Sequence, residues 1–244
     1  MDDWFAHWFD EDYSRLYAHR DEAEARHAVA LALQAAPELA HGPVLDLGCG
    51  AGRHLAALRE TNPEGFGLDL SAHLLGEAPS PLRPWLVRGD MRLLPIRPGT
   101  LTGVLLWFTP FGYFSDQDNR SLLLRLAEAL RPGGVLLLDY LHDAHVRRTL
   151  QAEEVIDRPE LRVCIRRSIE GDRVIKRMAL ERSGGGARRE VVESVHLYSP
   201  QALTALAADA GLRPRAAFGS YGGSPFSATS DRWIGLFERG SSGP

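Results

Sequence analysis

The sequence is poor in cysteine, in lysine and in long apolar runs. Its 244 residues include two cysteines, Cys49 and Cys164, which are too few for a disulfide framework and too far apart for a C-x-x-C metal motif. We therefore expect a reducing, cytoplasmic environment. No apolar run approaches the ~18 residues that span a bilayer, and the acidic N-terminus is unlike a signal peptide. Lys176 is the single lysine among 28 basic residues, which we attribute to GC-rich codon usage.

The overall charge and the absence of several motifs exclude further classes of protein. A net charge of −4 gives no support for non-specific nucleic-acid binding. The chain has no Ser-His-Asp order, HExxH motif, P-loop or kinase signature. With 44% hydrophobic and 25% charged residues, the chain can form one large domain, or one domain with an insertion.

The most informative stretch runs from Pro43 to His54. Val44–Leu47 is a short apolar run that contains one acid, Asp46, and it is followed by three glycines at alternate positions, Gly48, Gly50 and Gly52. Glycine permits backbone angles that other residues resist and lets a ligand approach closely. The pattern predicts a buried strand, a tight turn and the start of a helix, whose N–H groups favour anions or electron-rich groups.

The glycine spacing separates two kinds of nucleotide site. A dinucleotide fingerprint, G-x-G-x-x-G, would need its third glycine where Arg53 stands, which disfavours an NAD-dependent oxidoreductase. The observed order, with Asp46 two residues before the first glycine, resembles motif I (D-x-G-x-G-x-G) of the class I S-adenosylmethionine (SAM) methyltransferases. The alternative is a glycine-rich turn that binds no ligand.

Two further acids extend the resemblance. Asp69 ends a predicted second strand, Gly65–Leu70, and lies 21 residues after Gly48, the interval at which an acid accepts hydrogen bonds from ribose hydroxyls in Rossmann-like sites. Asp90 follows a predicted third strand, Trp85–Arg88. In the family an acid at this point receives the adenine amino group; the alternative for Asp90 is a turn or capping residue.

The resemblance implies a complete cofactor site. Met91 and Leu70 would pack on the two faces of the adenine, and Tyr17 or Arg20 in the aromatic N-terminal segment would reach the methionine end. We expect SAM to be the cofactor, without a metal. The cofactor-binding residues implied are Tyr17, Arg20, Asp46, Gly48, Cys49, Gly50, Gly52, Asp69, Leu70, Asp90, Met91 and Trp107.

The acceptor is expected beside the predicted fourth strand, Thr102–Trp107. An aromatic loop follows it, outside the carboxyl end of a central strand, where doubly wound sheets bind ligands. The predicted substrate contacts are Phe108, Phe111, Tyr113 and Tyr221; for Phe111, packing in the core is the alternative. An acceptor that must lose a proton needs a base, and we name His142 and Tyr113 as catalytic candidates.

The order of elements predicts the fold class. Five strand–helix units indicate an α/β protein with a doubly wound, mostly parallel seven-stranded sheet whose last strand is antiparallel. Alternating apolar residues after the fifth strand, Val135–Leu141, predict an antiparallel β insertion of three or four strands. We divide the chain into an N-terminal docking or lid segment (1–42), a SAM-binding domain (43–150 and 198–240) and an inserted cap (151–197).

The resemblance implies an enzyme that moves a methyl group by in-line displacement from SAM to an O, N or C atom of a small molecule. One alternative is a tRNA or rRNA methyltransferase, since Arg147 to Arg189 holds twelve basic and seven acidic residues. That segment lacks the aromatic residues that stack on bases, so we do not expect a nucleic-acid partner. The other alternative is a non-catalytic SAM-binding protein. We expect no membrane contact, and consider a homodimer through the β insertion.

Overall fold

The computed structural model describes residues 3–17, 21–182 and 188–240. Its α-helices are α1 (Phe5–Trp8), α2 (Glu11–Leu16), α3 (Glu22–Ala35), α4 (Arg53–Arg59), α5 (Ala72–Glu77), α6 (Asp116–Ala129), α7 (Asp143–Thr149) and α8 (Pro200–Asp209). Its strands are β1 (Val44–Leu47), β2 (Gly65–Asp69), β3 (Leu86–Arg88), β4 (Leu101–Leu106), β5 (Leu130–Leu141), β6 (Glu153–Arg158), β7 (Leu161–Glu170), β8 (Arg173–Arg182), β9 (Arg189–His196), β10 (Leu212–Phe218) and β11 (Arg232–Arg239). No helix in these ranges has the length and apolar character needed to cross a membrane.

Seven strands form one sheet in the order β10-β11-β5-β4-β1-β2-β3. β1 is parallel to β2 and β4, whereas β11 is antiparallel to its neighbours β5 and β10. Successive residues of β4 alternate between two core clusters: Val104 packs with Leu122 and Leu203 of α6 and α8, and Leu105 packs with Leu55 of α4. Helices therefore cover both faces of the sheet, and the predicted α/β fold class is confirmed.

The predicted element boundaries differ from the observed ones where the backbone is irregular. β5 begins at Leu130 rather than Val135, because Leu130 pairs with Leu101 before the register shifts. α4 begins at Arg53, directly after Gly52, whose φ of +80° is left-handed. α7, which separates β5 from the insertion, was not among the elements predicted from the sequence.

The four strands between α7 and α8 form a separate antiparallel sheet in the order β6-β7-β8-β9. This confirms the predicted antiparallel β insertion after the fifth strand. Its inner face is mainly apolar and contacts Trp8 and Leu16 of the N-terminal helices through Val163, Ile165, Met178, Leu180 and Val191. The three-part division of the chain stays a prediction.

Polar contacts attach the N-terminal helices to the insertion. Trp8 Nε1 donates a hydrogen bond of 2.6 Å to Glu193 Oε1. Asp12, only 4% exposed, forms ion pairs with Arg182 at 2.6 Å and Arg189 at 2.9 Å. Because a buried carboxylate needs such partners, these contacts fix the position of α2 against β8 and β9.

Candidate active site

A cavity of about 680 Å³ lies where the carboxyl ends of β1, β2 and β4 face the N-terminal helices and the β insertion. This is the edge at which doubly wound sheets bind ligands. The structure brings most of the predicted site residues to its wall: Tyr17, Gly48, Cys49, Gly50, Asp69, Leu70, Asp90, Met91, Trp107, Phe108 and Tyr113. Asp46, Gly52, Phe111, His142 and Tyr221 are not part of that wall, and Arg20 lies outside the described residues.

Three predicted substrate or catalytic residues have structural contacts instead. Phe111 is fully buried in the main core cluster, so the packing alternative describes its position. The His142 ring is buried against Phe226, and its Nδ1 donates to the Ser230 carbonyl at 2.7 Å. The Tyr221 hydroxyl donates a hydrogen bond to Asp139, a buried acid behind the wall. Of the two catalytic candidates, Tyr113 alone reaches the cavity.

The glycine turn has the backbone that its sequence predicts. Gly48, Gly50 and Gly52 all have positive φ, at 75°, 55° and 80°. A Cβ on Gly48 would lie 3.0 Å from Pro110 Cβ, so a side chain there would fill the space between β1 and the loop after β4. The absence of these side chains leaves room for a ligand against the main chain.

Asp69 is anchored so that its carboxylate stays at the cavity wall. Its Oδ2 accepts the Gly50 N–H and its Oδ1 accepts the Ser71 N–H, both at 2.8 Å. Burial raises the pKa of Asp69, and the hydrogen bonds from Ser71, Gly50 and Leu70 oppose that effect. Each carboxylate oxygen has a second lone pair for a ligand hydroxyl.

Asp46 lies beneath the turn and is 1% exposed. Burial, reinforced by the nearby charge of Asp69, raises the pKa of Asp46 from 3.8 to about 7, against smaller opposing effects of Leu55 N–H and Arg53. Asp46 Oδ2 has no hydrogen-bond partner among the described residues. A cationic ligand above the turn would therefore favour the ionised carboxylate.

The shifted pKa of Asp46 predicts a pH dependence of stability. The folded chain holds a proton on Asp46 up to about pH 7, whereas the unfolded chain loses that proton near pH 4. The contribution of Asp46 to the free energy of unfolding is therefore full below about pH 4 and is lost as the pH rises to about 7. We expect ligand-free Asp46→Asn to melt several degrees above the wild type near pH 8, with a difference that shrinks toward pH 4. Thermal denaturation across this range measures it.

The control for this experiment is Asp157→Asn, which removes the same charge from an exposed position in β6. Its melting temperature is expected to follow the wild type at every pH. Equal pH slopes for Asp46→Asn and the wild type would contradict the assignment of a raised pKa to Asp46.

Asp90 is held by a neighbouring arginine that the sequence analysis did not consider. Arg92 donates from Nε to both carboxylate oxygens and from Nη2 to Oδ2 at 2.7 Å. Burial raises the pKa of Asp90, but the hydrogen bonds from Arg92 outweigh burial and the pKa is lowered. Asp90 and Met91 still line the cavity, so the acid stays ionised and can accept a hydrogen bond from a ligand amino group.

The loop after β4 contains a strained turn. Phe108 and Thr109 have φ of 59° and 61°. This left-handed backbone conformation costs residues other than glycine roughly 1–2 kcal/mol each. The Phe108 N–H donates to Asp139 Oδ2 at 2.8 Å, and the Thr109 N–H donates to the Asp139 carbonyl at 3.0 Å. These bonds hold the turn, and such strain is concentrated at functional sites.

Arg232 in the cavity wall and Asp139 behind that wall were not predicted from the sequence. Asp139 is 1% exposed and accepts from Arg232 Nη1 at 2.7 Å and from the Tyr221 hydroxyl at 2.5 Å. Burial raises the pKa of Asp139, opposed by the charge of Arg232. Arg232 also lines the cavity, with its guanidinium 5.2 Å from the Phe108 ring centre. A lone acid in the apolar run of β5 was the available signal for Asp139.

Arg173, at the start of β8, connects the insertion to the aromatic loop. This buried guanidinium donates to the carbonyls of Gly112, Tyr113 and Phe114 at 3.2, 2.9 and 3.1 Å. It also donates to Ser194 Oγ and the Ser194 carbonyl at 2.7 and 2.9 Å. One side chain thus fixes the backbone that carries Tyr113.

Aromatic side chains form much of the remaining wall. The Trp4 ring lies 4.8 Å from that of Tyr113, and His54 stacks on Trp107 at 5.0 Å. The indole N–H groups of Trp4 and Trp107 are buried and have no hydrogen-bond partner among the described residues. A buried donor without an acceptor costs about 1–3 kcal/mol, which a ligand oxygen would recover.

The fold is Rossmann-like, with its cavity at the edge where such folds bind nucleotides, and comparisons with known proteins identify the family. Residues 44–134 match the family described as a methyltransferase domain. A malonyl-[acyl-carrier protein] O-methyltransferase from Enterobacter lignolyticus is 30% identical over 197 residues, covering 78% of this chain and 71% of that protein. The chain belongs to the class I SAM-dependent methyltransferases.

The match to a second relative spans a smaller share of that protein, and a solved structure shares the fold at low sequence identity. A trans-aconitate 2-methyltransferase from Deinococcus radiodurans is 37% identical over 142 residues, 54% of this chain, and the match spans about half (52%) of that relative. A SAM-dependent methyltransferase structure from Clostridium acetobutylicum superimposes with a TM-score of 0.79 at 18% identity, over 93% of this chain and 96% of that one.

Proposed function

We propose that this chain transfers a methyl group from SAM to an O, N or C atom of a small-molecule acceptor in the 680 Å³ cavity. The proposal rests on the observation that a single continuous cavity is lined both by Asp69 at the end of β2 and by Lys176 in the insertion. One end then holds the cofactor and the other the acceptor, which in-line transfer requires.

The polar groups at the β1–β3 end fit a nucleoside and a methionine. Asp69 is positioned for the ribose hydroxyls, and Asp90 with Met91 for the adenine. The Gly48–Gly52 turn leaves space for the methionine chain, and Asp46 lies beneath it. These features support the predicted cofactor contacts of the glycine turn and of the three acids.

The chain's own contribution to the reaction is approach and alignment. When bound, SAM supplies an electrophilic methyl group, so no protein nucleophile is needed. The aromatic wall around Trp4, Tyr113 and Trp107 excludes water, which favours a step that disperses positive charge. Tyr113 is the predicted base that remains in contact with the cavity for an acceptor that must lose a proton.

The trans-aconitate and malonyl-[acyl-carrier protein] methyltransferases to which this chain is similar favour small acids over nucleic acid as acceptors. The surface of the insertion agrees, because two of its outward arginines are paired with acids: Arg166 with Glu153 at 3.3 Å and Arg177 with Glu170 at 2.7 Å. Such pairing neutralises the charge that an RNA backbone would need. The RNA alternative is therefore disfavoured.

Calorimetry with S-adenosylhomocysteine (SAH), the reaction product, tests the cofactor half of the proposal. We expect SAH to bind the wild type, and Asp69→Ala to weaken binding about tenfold or more, because hydrogen bonds to the charged carboxylate are lost. The exposed Asp157→Ala is the matched control and is expected to bind SAH normally. Unchanged affinity in folded Asp69→Ala would contradict the assignment.

Turnover separates an enzyme from a SAM-binding protein without activity. The wild type is incubated with SAM and a panel of small acids, amines, phenols and amino sugars, and SAH is quantified. We expect at least one acceptor to raise SAH production above the acceptor-free rate. Binding of SAM with no turnover across the panel would favour the non-catalytic alternative.

A further inference from the structure

A row of charged side chains crosses the mainly apolar inner face of the β insertion. Arg167 of β7 is directly opposite Lys176 of β8, and Lys176 is directly opposite Glu193 of β9. Neighbouring positions on this face are apolar, including Val174 and Val195. All five of these residues line the cavity. The row is thus the polar part of the wall that the insertion contributes.

The centre of this row is a pair of like charges. Directly opposed residues on antiparallel strands have Cβ atoms about 4.5–5.5 Å apart, and like charges in that arrangement destabilise a sheet. Arg167 and Lys176 hold such positions on an inner face, with side chains 22% and 15% exposed. An anion bound between them would remove the repulsion.

Acids flank the pair on its outer sides. Glu154 accepts from Arg167 at 2.5 Å, and Glu193 Oε2 lies 3.6 Å from Lys176 Nζ. Glu193 also accepts from the Trp8 indole, and Lys176 bonds the Tyr17 hydroxyl. These acids offset the charge of the two bases from their outer sides, so the attraction for an anion is confined to the position between Arg167 and Lys176. That position provides donors for one carboxylate and no excess of positive charge for a phosphate dianion.

Lys176 is also the single lysine of the chain, whose other 27 basic residues are arginines (28 in total). An ammonium group is compact and has three donors that can rotate toward different acceptors, unlike the planar guanidinium. Lys176 can therefore contact Tyr17, Glu193 and a ligand oxygen together.

From these contacts we propose that the methyl acceptor is a small organic carboxylate, bound through its carboxylate group by Arg167 and Lys176. One carboxylate oxygen forms a bond to the methyl carbon as the bond between that carbon and the SAM sulfur breaks, so the products are the methyl ester and SAH. This inference rests on the proposed methyl transfer and adds the substrate class. Apolar Val174 and Val195 on the same face contact the body of the acceptor. Arg167 and Lys176 are specificity-determining residues, and they act on the acceptor rather than on SAM.

The first experiment compares acceptors that differ in one group. Aliphatic and aromatic carboxylic acids are each tested beside the corresponding primary amide, amine and phosphate ester, with SAH production as the readout. We expect turnover to be confined to the acids. Turnover led by amides, amines or phosphate esters would overturn the carboxylate assignment and leave methyl transfer intact. No turnover of any compound, with SAM bound, would overturn both proposals.

The second experiment tests the two residues. Lys176→Met is expected to raise KM for the best acid about 10- to 100-fold, while SAH affinity by calorimetry is unchanged. Lys176→Arg keeps the charge and is expected to retain the preference for acids. The matched control is Arg177→Met, because Arg177 directly follows Lys176 in the sequence and its side chain is exposed. Arg167→Met provides a second variant with the same expected result.

A measurement without turnover completes the test. Calorimetric titration of the acid into the SAH-bound wild type should detect binding that its amide does not show. Lys176→Met and Arg167→Met should lose that binding, whereas Arg177→Met should keep it. Equal binding of acid and amide, or acid binding unchanged in both variants, would overturn the role of the charged pair.

Discussion

Replacing Gly50 with valine is expected to weaken SAH binding at least about 100-fold. Gly50 has a φ of 55°, a conformation that a β-branched residue resists. Its N–H also holds Asp69 Oδ2 at 2.8 Å, so any backbone shift displaces the acid assigned to the ribose. The nearest atom to an added Cβ is Leu74 Cδ1 at 3.6 Å. The penalty is therefore conformational and acts on the cofactor site, and calorimetry with SAH measures it.

A matched control separates this effect from loss of folding. Gly99 also has a left-handed φ, of 72°, but lies away from the cavity with no atom within 4 Å of an added Cβ. Gly99→Val should incur similar backbone strain and retain SAH affinity. Normal affinity in Gly50→Val, or an equal loss in both variants, would contradict the role of this turn.

Arg173→Met is expected to produce the largest loss of stability among substitutions in the insertion. Removal of the guanidinium breaks five hydrogen bonds, to Ser194 and to the carbonyls of Gly112, Tyr113 and Phe114. The Gly112 carbonyl keeps the His196 N–H and the Phe114 carbonyl keeps the Asn119 side chain, so fewer than five acceptors lose their only donor. A single unsatisfied buried group costs about 1–3 kcal/mol, and we expect about 3–5 kcal/mol in total. At roughly 2–4 °C per kcal/mol for a chain of this size, the melting temperature should fall by about 10 °C.

Arg173 is expected to affect the acceptor as well as stability. Below the lowered melting temperature, displacement of the Tyr113 backbone should raise KM for the acceptor more than it weakens SAH binding. The control is Arg166→Met, an exposed arginine of β7 whose ion pair is at the surface. An unchanged melting temperature and KM in Arg173→Met would show that the five hydrogen bonds do not hold the loop.

Local sequence signals were sufficient for the fold and for the cofactor end of the cavity. The glycines at 48, 50 and 52 require a turn that few other residues adopt, and β1 and β2 each carry their acid near the carboxyl end. Because parallel strands end at one edge of the sheet, Asp69 and Asp90 could be placed together from the chain order alone. The alternating apolar pattern of the insertion also predicted its strands.

The contacts that shape the acceptor end have no such local signal. Arg173 reaches residues about 60 positions away, and Arg232 reaches Asp139 across 93 positions. The opposition of Arg167 and Lys176 depends on strand register, which a periodic pattern does not specify to one residue. His142 and Phe111 were plausible by residue type, but packing directs both side chains to partners outside the cavity wall.

We expect one cavity to hold the cofactor at Asp69 and to direct its reactive sulfur toward the β insertion. A crystal structure of the SAH complex tests this most directly. We predict the ribose hydroxyls within hydrogen-bond distance of the Asp69 carboxylate, and the sulfur facing the space beneath Arg167 and Lys176. SAH bound elsewhere, or with its sulfur directed away from the insertion, would contradict the claim.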